Sequence, residues 1–262
     1  MTAPSHPQHV PAVPADSPAN RAKSRFIRRM FDTIAPDYDR LNAWVSFRMD
    51  RLWRRKAVRQ LPSEGWIADW CAGTGDMTRE YLKRSENRGR VVMCDFSTEM
   101  KRLSADRLGD VDRSRCYYVC CDVTQAPFKD GVFSGQMQGF AVRNLENRPA
   151  FFRELKRCGT AVGRGALVDL SVPANRLWRW MCNFYFGKIA PRIVAIVARR
   201  GVFAYRYLSE SIEHHAPPGK IVKQMEDSGL SNARYTPLVG GIGVIFSWQQ
   251  GRSVETDTPN RG

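Results

Sequence analysis

Short apolar runs alternate along the chain with stretches whose apolar residues recur at helical spacing. Such alternation is typical of βα units, so it predicts an α/β fold with a mostly parallel central sheet flanked by helices. The apolar runs that we predict to be strands are Trp66 to Trp70, Val91 to Cys94, Tyr117 to Cys120, Val132 to Phe140 and Gly165 to Leu170.

The segments outside this alternation predict how the sheet is closed. We expect residues 21–250 to form a single domain, with a mostly helical amino-terminal cap over residues 21–61 that breaks near Pro36. A helix is expected around Lys220 to Ser228. The stretch from Tyr235 to Gln249 is typical of a closing pair of strands, with glycines 240, 241 and 243 at their turn.

Composition sets the limits of this domain. The chain has 262 residues and 43% hydrophobic content, enough for one sizeable core. The first twenty residues are rich in Pro, Ala and Ser and predict a disordered tail, and residues 251–262 a flexible end. We find neither a secretory signal pattern nor a run long and uncharged enough to cross a bilayer, so we expect a protein that is cytoplasmic or only peripherally bound to a membrane. The seven cysteines lack metal-ligand spacing, and no metal site is predicted.

The formal charge of +15 is concentrated in two places. Residues 21–60 carry twelve Lys or Arg against four Asp, a balance of +8, and residues 176–206 carry seven basic residues and no acid. Such basic excess fits nucleic acid, anionic lipid headgroups or a merely solvated surface, and charge alone does not choose among them.

A glycine-rich turn comes directly after the first predicted strand, in Asp69 to Asp76. Gly73 and Gly75 allow the backbone to approach a ligand at the carboxyl edge of the sheet, which predicts a nucleotide-like cofactor. A dinucleotide fingerprint needs a third glycine or alanine where Thr78 stands. Asp76 at the helix start would repel a pyrophosphate but suits the ammonium and sulfonium of S-adenosylmethionine. We therefore predict a Rossmann-like class I S-adenosylmethionine-dependent methyltransferase.

Two further acids stand at the ends of the next two strands. Asp95 lies about twenty residues beyond the glycines, where a carboxylate can accept hydrogen bonds from both ribose hydroxyls. Asp122 comes after the third strand and is predicted to meet the adenine amino group, while Val123 supplies backbone contacts. Each acid alone is equally typical of an ordinary turn, but their register after successive strands favours a cofactor site.

With these motifs in place, the chain resembles the ubiquinone and menaquinone biosynthesis C-methyltransferases, which include the demethylmenaquinone methyltransferases, over roughly Phe26 to Trp248. The amino-terminal block and the block that contains Arg143-Asn144 are the most restrictive. The blocks that carry the resemblance are Phe31 to Asn42, Ser46 with Trp53-Arg54, Asp69 to Asp76, Ala126 to Phe128, Phe140 to Asn144, Tyr205 to Ile212 and Gly240 to Ile242.

The resemblance implies methylation of a ring carbon on demethylmenaquinol or on 2-polyprenyl-6-methoxy-1,4-benzoquinol. The chemistry of the sulfonium donor then predicts that Arg143 stabilises a developing quinolate, that Asn144 orients the ring, and that Tyr38 and Asp122 relay the proton through water. Alternatively, Arg143 pairs with a local acid, Asn144 caps the next helix and Tyr38 only packs. The cofactor contacts that the motifs and the resemblance together predict are Asp69, Gly73, Thr74, Gly75, Asp95, Asp122, Val123 and Gly139.

A prenylated substrate would explain the stretch from Leu177 to Tyr207, within a predicted insertion at 177–215. Trp178, Met181, Tyr185 and Ile189 are predicted to share one helical face, with basic residues between them. We expect this face to meet an anionic membrane at the inner side of the cell membrane, and the alternative is an ordinary helix docked on the core.

Other functions stay open at this stage. They are methylation of another lipophilic aromatic molecule, an RNA methyltransferase, and a cofactor-binding scaffold of a quinone assembly complex that is not an enzyme. We expect no nucleic-acid partner because no appended RNA-binding module is recognisable, and a homodimer or quinone-biosynthesis complex is left open. Two adjacent histidines, His214 and His215, stand where the family more often has an aromatic residue and a proline. We expect them to point apart and to be solvated, without a catalytic role.

Overall fold

The structure, a computed structural model, describes residues 46, 48–84, 88–108, 114–192, 211–212 and 215–251. Seven strands form one sheet: β1 Trp66–Trp70, β2 Arg90–Asp95, β3 Cys116–Cys120, β4 Phe133–Gly139, β5 Gly159–Leu170, β6 Arg234–Leu238 and β7 Gly243–Gln249. The α-helices of the described residues include α1 Met49–Val58, α2 Asp76–Leu82, α3 Thr98–Arg107, α4 Arg148–Cys158, α5 Arg176–Phe184 and α6 Pro218–Asp227.

The strand order is β3-β2-β1-β4-β5-β7-β6. Strands β1 to β5 are parallel, while β7 runs antiparallel to both β5 and β6. β1 lies between β2 and β4, so the chain order reverses at this strand. Open α/β sheets bind ligands at such a reversal, outside the carboxyl ends of the strands.

Each face of the sheet is covered by its own apolar layer. In β1, Ile67 faces the layer that contains α1, while Ala68 and Trp70 face the layer that contains α4 and α6. Trp70 is fully buried and meets Phe133 and Phe151 edge to face, with ring centroids 5.9 and 6.1 Å apart. These contacts are the ones aromatic rings prefer, and they hold the centre of the sheet to α4.

The predicted Rossmann-like fold and its five parallel strands are confirmed, as are the helix near residue 220 and the closing pair of strands. The largest difference is β5, which begins at Gly159 and not near Gly165. Its first residues include the exposed Ala161, Val162 and Arg164, so the apolar run that marks a buried strand covers only its second half.

Parts of the predicted domain plan lie outside the described residues. Of the predicted cap over residues 21–61, the structure describes residue 46 and residues 48 onward, with α1 as its helix. No helix among the described residues has the length and apolar content needed to cross a membrane.

Candidate active site

The glycine turn connects β1 to α2 through a backbone conformation that residues other than glycine rarely adopt. Gly73 and Gly75 have φ values of +53° and +83°. A Cβ on Gly75 would lie 2.8 Å from the Met93 Cε atom, whereas a Cβ on Gly73 would meet nothing within 4 Å. Both glycines are therefore needed for the backbone conformation and Gly75 also for packing, while the space beside Gly73 is open.

Asp95 ties the end of β2 to this turn. Its Oδ2 accepts a hydrogen bond from the backbone N–H of Gly73 at 2.9 Å, and its Oδ1 accepts from the N–H of Ser97 at 3.0 Å. Only 6% of the Asp95 surface is exposed. The glycine turn and the predicted ribose-binding acid thus lie together at the carboxyl edge.

Asp69 is completely buried beneath the same turn. Its Oδ2 accepts hydrogen bonds from the Thr78 N–H at 3.1 Å and the Thr78 hydroxyl at 2.7 Å, while Oδ1 has no hydrogen-bond partner among the described residues. Burial raises the pKa of Asp69 to about 7, against the lowering effect of the Thr78 hydrogen bonds. Thr78, which the sequence marked only as a missing glycine, anchors this carboxyl group.

Asp76, at the first position of α2, faces cations of the protein itself. Its carboxylate forms ion pairs with Arg54 Nη2 and Arg79 Nη1, both at 3.4 Å. Arg54 comes from α1, is 5% exposed, and places its guanidinium carbon 4.7 Å from the centre of the Phe140 ring. The motif analysis did not assign a role to Arg54, although it lies in the family block Trp53-Arg54.

Gly139 ends β4 next to α2. A Cβ there would lie 2.9 Å from Met77 Cγ and 3.7 Å from Arg54 Nε. A larger residue at this position therefore requires the Met77 side chain to move. The position borders both α2 and the buried guanidinium of Arg54.

Asp122 is exposed and its Oδ1 accepts hydrogen bonds from the N–H and the hydroxyl of Thr124, at 2.8 and 2.7 Å. This is the geometry of an ordinary Asx turn, the alternative to a cofactor contact for this acid. Val123 is 6% exposed and packs in the core, and Thr74 is 2% exposed.

Arg143 pairs with a local acid, which was the alternative to direct substrate contact. It lies in a 3-10 turn, Val142–Asn144, and its Nη1 forms an ion pair with Asp169. Nη1 also donates to the Phe140 carbonyl at 2.7 Å, and Nε donates to Ser211 Oγ at 3.2 Å. No described residue accepts a hydrogen bond from Nη2.

Asn144 and Tyr38 are the other two residues predicted for the acceptor site, and His214 and His215 are the adjacent histidines. Asn144 does not cap the next helix, because Asn147 accepts the hydrogen bond from the Ala150 N–H at 3.1 Å. Tyr38 and His214 lie outside the described residues. The expectation that His215 is solvated is wrong, since the residue is 8% exposed and the adjoining Ala216 packs against the core.

The segment after β5 presents its apolar residues outward. Trp178 lies against the protein, with its ring N–H donating to the Val239 carbonyl at 3.1 Å, and Cys182 is buried. Of the four residues predicted to share one face, Met181 and Ile189 are exposed and Trp178 and Tyr185 are half-buried, and the helix is wound as a π-helix over Tyr185–Ile189. The exposed apolar side chains are Leu177, Trp180, Met181, Phe184 and Ile189.

Comparison with known proteins gives a family and a fold. The model of the ubiE/COQ5 methyltransferase family matches residues 19–249. A ubiquinone/menaquinone biosynthesis C-methyltransferase UbiE from Geotalea uraniireducens is 33% identical over 227 residues, covering 86% of this chain and 96% of the relative. The UbiE of Methylococcus capsulatus is 32% identical over 226 residues, covering 85% and 91%.

Solved structures with much lower identity share the fold. A SAM-dependent methyltransferase from Thermotoga maritima superimposes with a TM-score of 0.60 at 13% identity, covering 86% of this chain and all of that one. A Haemonchus contortus phosphoethanolamine N-methyltransferase in complex with S-adenosyl-L-methionine gives 0.53 at 12% identity, covering 72% and 49%.

Proposed function

Because the chain belongs to the ubiE/COQ5 methyltransferase family, we propose that it transfers the methyl group of S-adenosylmethionine to a ring carbon of a prenylated quinol. The observation that carries the proposal is the hydrogen bond from the Gly73 N–H to the Asp95 carboxylate. It holds the glycine turn to the end of β2, beside β1, the strand at which the chain order of the sheet reverses. Nucleoside cofactors bind at this place in Rossmann-like sheets.

The residues at this edge fit the proposed cofactor. The open space at Gly73 admits a ligand close to the backbone, and Asp95 is positioned to accept hydrogen bonds from the ribose hydroxyls. Asp122 would accept a hydrogen bond from the adenine amino group, and the backbone of Val123 would contact the same ring. Thr74, Gly75 and Gly139 would complete the cofactor contacts, and the unpartnered Oδ1 of Asp69 lies beneath them.

The cofactor supplies an electrophilic methyl group on a sulfonium, so the protein has to position the acceptor carbon and stabilise charge. Arg143 is held by Asp169 and Phe140, and its Nη2 is the part of the guanidinium that a quinolate oxygen can address. Asn144, in the same turn, would orient the ring. Arginine keeps its proton, so its role here is electrostatic.

We further propose that the outward face of α5 rests on an anionic membrane where the lipid-soluble substrate is found. Leu177, Trp180, Met181 and Phe184 follow one another at steps of three, one and three positions, which places them on one helical face, and all are 47% exposed or more. The rings of Trp180 and Phe184 are stacked with centroids 6.1 Å apart. Residues 176–192 carry basic side chains and no acidic one, which matches anionic headgroups.

We propose that the methyl acceptor is a demethylmenaquinol or a polyprenyl methoxybenzoquinol. An anaerobic assay with both quinols tests this proposal. Purified protein, S-adenosylmethionine labelled in its methyl group and each quinol should give a labelled, ring-methylated product by mass spectrometry. Transfer to RNA, or to an aromatic acceptor without a prenyl chain in preference to both quinols, would contradict the proposal. An absence of transfer with intact cofactor binding would favour the scaffold alternative.

A further inference from the structure

His215 is a buried imidazole without hydrogen bonds. Only 8% of its surface is exposed, and neither Nδ1 nor Nε2 has a hydrogen-bond partner among the described residues. A neutral imidazole has one donor and one acceptor, and leaving both unsatisfied costs roughly 1–3 kcal/mol for each group. Its backbone is fixed, because the His215 N–H donates to the Ile212 carbonyl at 3.1 Å.

Charged groups from three elements act on this imidazole. They are Asp169 at the end of β5, Arg143 in the 3-10 turn and Arg148 at the start of α4. The carboxylate of Asp169 is already paired with Arg143, and the two arginines oppose protonation of the histidine. Burial is the largest effect and lowers the pKa of His215 below its ordinary value of 6.5. The ring is therefore neutral at pH 7 and able to accept a proton.

A second unpartnered polar group lies on the face of the sheet that carries Asp169. Gln138 is fully buried in β4, and both its amide N and O lack partners among the described residues. It pairs in register with Leu167 of β5, two residues before Asp169, and with Trp70 of β1 on its other side. Since alternate residues of a strand share a face, Gln138 and Asp169 lie on the same side of the sheet.

The position fits the proposed reaction. Trp70 is the last residue of β1 and the glycine turn begins directly after it, so this face reaches the carboxyl edge next to the proposed methyl donor. Histidine and glutamine side chains can each donate and accept, which suits a ring hydroxyl that becomes an oxyanion. Arg143, in the turn that follows β4, supplies the positive charge.

We propose that His215 is the general base of the reaction, an inference that rests on the proposed function. A ring nitrogen of His215 takes the proton of the quinol hydroxyl, and the O–H electron pair stays on the oxygen. The ring carbon then attacks, so that a C–CH₃ bond forms as the S–CH₃ bond breaks, with its electron pair left on sulfur. The proton of the methylated carbon passes to water while His215 returns its proton to the oxygen, restoring the aromatic ring.

The test compares the pH dependence of kcat for the full-length protein and for His215→Gln, with a prenylated quinol under anaerobic conditions. In the unaltered protein, kcat should fall on the acidic side with an apparent pKa below 6.5. His215→Gln should lower kcat on the order of 100-fold and abolish this acidic limb, because the positioned base is lost. Affinity for S-adenosylmethionine, measured by calorimetry, should not change. Lys223→Gln on the exposed side of α6 is the control and should keep both kcat and the limb.

Two further measurements distinguish the loss of a base from misfolding of the variant. Added imidazole should restore turnover to His215→Ala by entering the space of the missing ring. In the unaltered protein, ¹⁵N shifts of His215 should report a neutral ring at pH 7 and should change when a short-chain naphthoquinol is added. Unchanged shifts, or full kcat with the same acidic limb in His215→Gln, would overturn the inference alone. Failure of the unaltered protein to methylate any prenylated quinol would overturn the proposed function and, with it, this role for His215.

Discussion

The Arg143 guanidinium forms an ion pair with the Asp169 carboxylate, and both side chains are almost completely removed from solvent, at 6% and 0% exposure. Asp169 also accepts a hydrogen bond from the backbone N–H of Arg143 at 2.9 Å, so the pair connects the end of β5 to the turn after β4. Arg143, the residue proposed to contact the substrate, is thus held in place by Asp169, which has the opposite charge and is just as deeply buried.

This relationship predicts a strong dependence on both partners. Asp169→Leu or Arg143→Met should each lower the free energy of unfolding by about 3–5 kcal/mol, because an uncompensated charge remains buried. The double variant should cost less than the sum of the two changes. Urea denaturation of all four proteins measures this coupling, and strictly additive losses would contradict it.

Arg143→Lys separates charge from geometry. A lysine keeps the positive charge but cannot donate from a planar fork to Asp169, Phe140 and the proposed quinolate together. We expect kcat for the prenylated quinol to fall at least tenfold, with affinity for S-adenosylmethionine unchanged. Full turnover in a folded Arg143→Lys protein would exclude the fork from the mechanism, and reduced cofactor affinity would move Arg143 to the donor site.

Asp95→Asn should weaken cofactor binding. An asparagine presents one acceptor oxygen, so it cannot accept from both Gly73 and Ser97 and also receive ribose hydroxyls. We expect a loss of about 2–3 kcal/mol in the binding free energy of S-adenosylmethionine, as for charge-assisted hydrogen bonds. Isothermal titration calorimetry measures it, with Asp227→Asn on the exposed side of α6 as the control. Equal affinity would show that Asp95 serves only the turn.

Asp69 should make the stability of the protein without cofactor depend on pH. Its pKa is about 7 in the folded protein and 3.8 without the fold, so the folded state keeps a proton that the unfolded state releases. The free energy of unfolding should therefore decrease as the pH rises from about 4 to about 7, by up to about 1.4 kcal/mol per pH unit.

Asp69→Asn removes this titration and serves as the comparison. The difference in unfolding free energy between the unaltered protein and Asp69→Asn should change across pH 4 to 7 and be constant above that range. Urea denaturation at several pH values is sufficient. A difference that does not vary with pH would mean that Asp69 is ionised in the folded protein throughout this range.

The outward face of α5 predicts binding to anionic vesicles. Trp180→Ser with Phe184→Ser should reduce sedimentation with anionic liposomes at least tenfold, because about 2 kcal/mol is lost for each large apolar side chain that no longer enters the interface. Tyr235→Ser, which changes an aromatic residue of similar exposure on β6, should bind as the unaltered protein does. Trp178 is unsuitable for this test because its ring supports the turn at Val239.

Equal binding to neutral and anionic liposomes, or no effect of salt, would contradict the electrostatic part of this proposal. Unchanged binding of the Trp180→Ser, Phe184→Ser protein would contradict the apolar part. The two outcomes are separate because one removes the contribution of the basic residues and the other that of the rings.

Much of the fold could be predicted because it depends on local pattern. A parallel strand buried on both faces is a continuous apolar run, as in β1, β2 and the second half of β5, and a glycine pair marks a turn that other residues adopt only at a cost. The same logic placed Asp95 beside the glycine turn, because the carboxyl ends of parallel strands lie at one edge of the sheet. Where the pattern is mixed, as at the exposed start of β5, the sequence did not reveal the strand.

The sequence by itself determined the α/β fold, the glycine turn and the edge of the sheet at which Asp69 and Asp95 lie. Strands and turns have local sequence patterns, and the carboxyl ends of parallel strands meet at one edge whatever their separation along the chain. Only the tertiary structure decided that Arg143 pairs with Asp169, that Arg54 reaches Asp76, and that His215 is buried without hydrogen bonds. These contacts join residues 22 to 26 positions apart or depend on burial by other elements. Long side chains reach many partners, and only the packed elements select one, so pattern alone does not reveal these contacts.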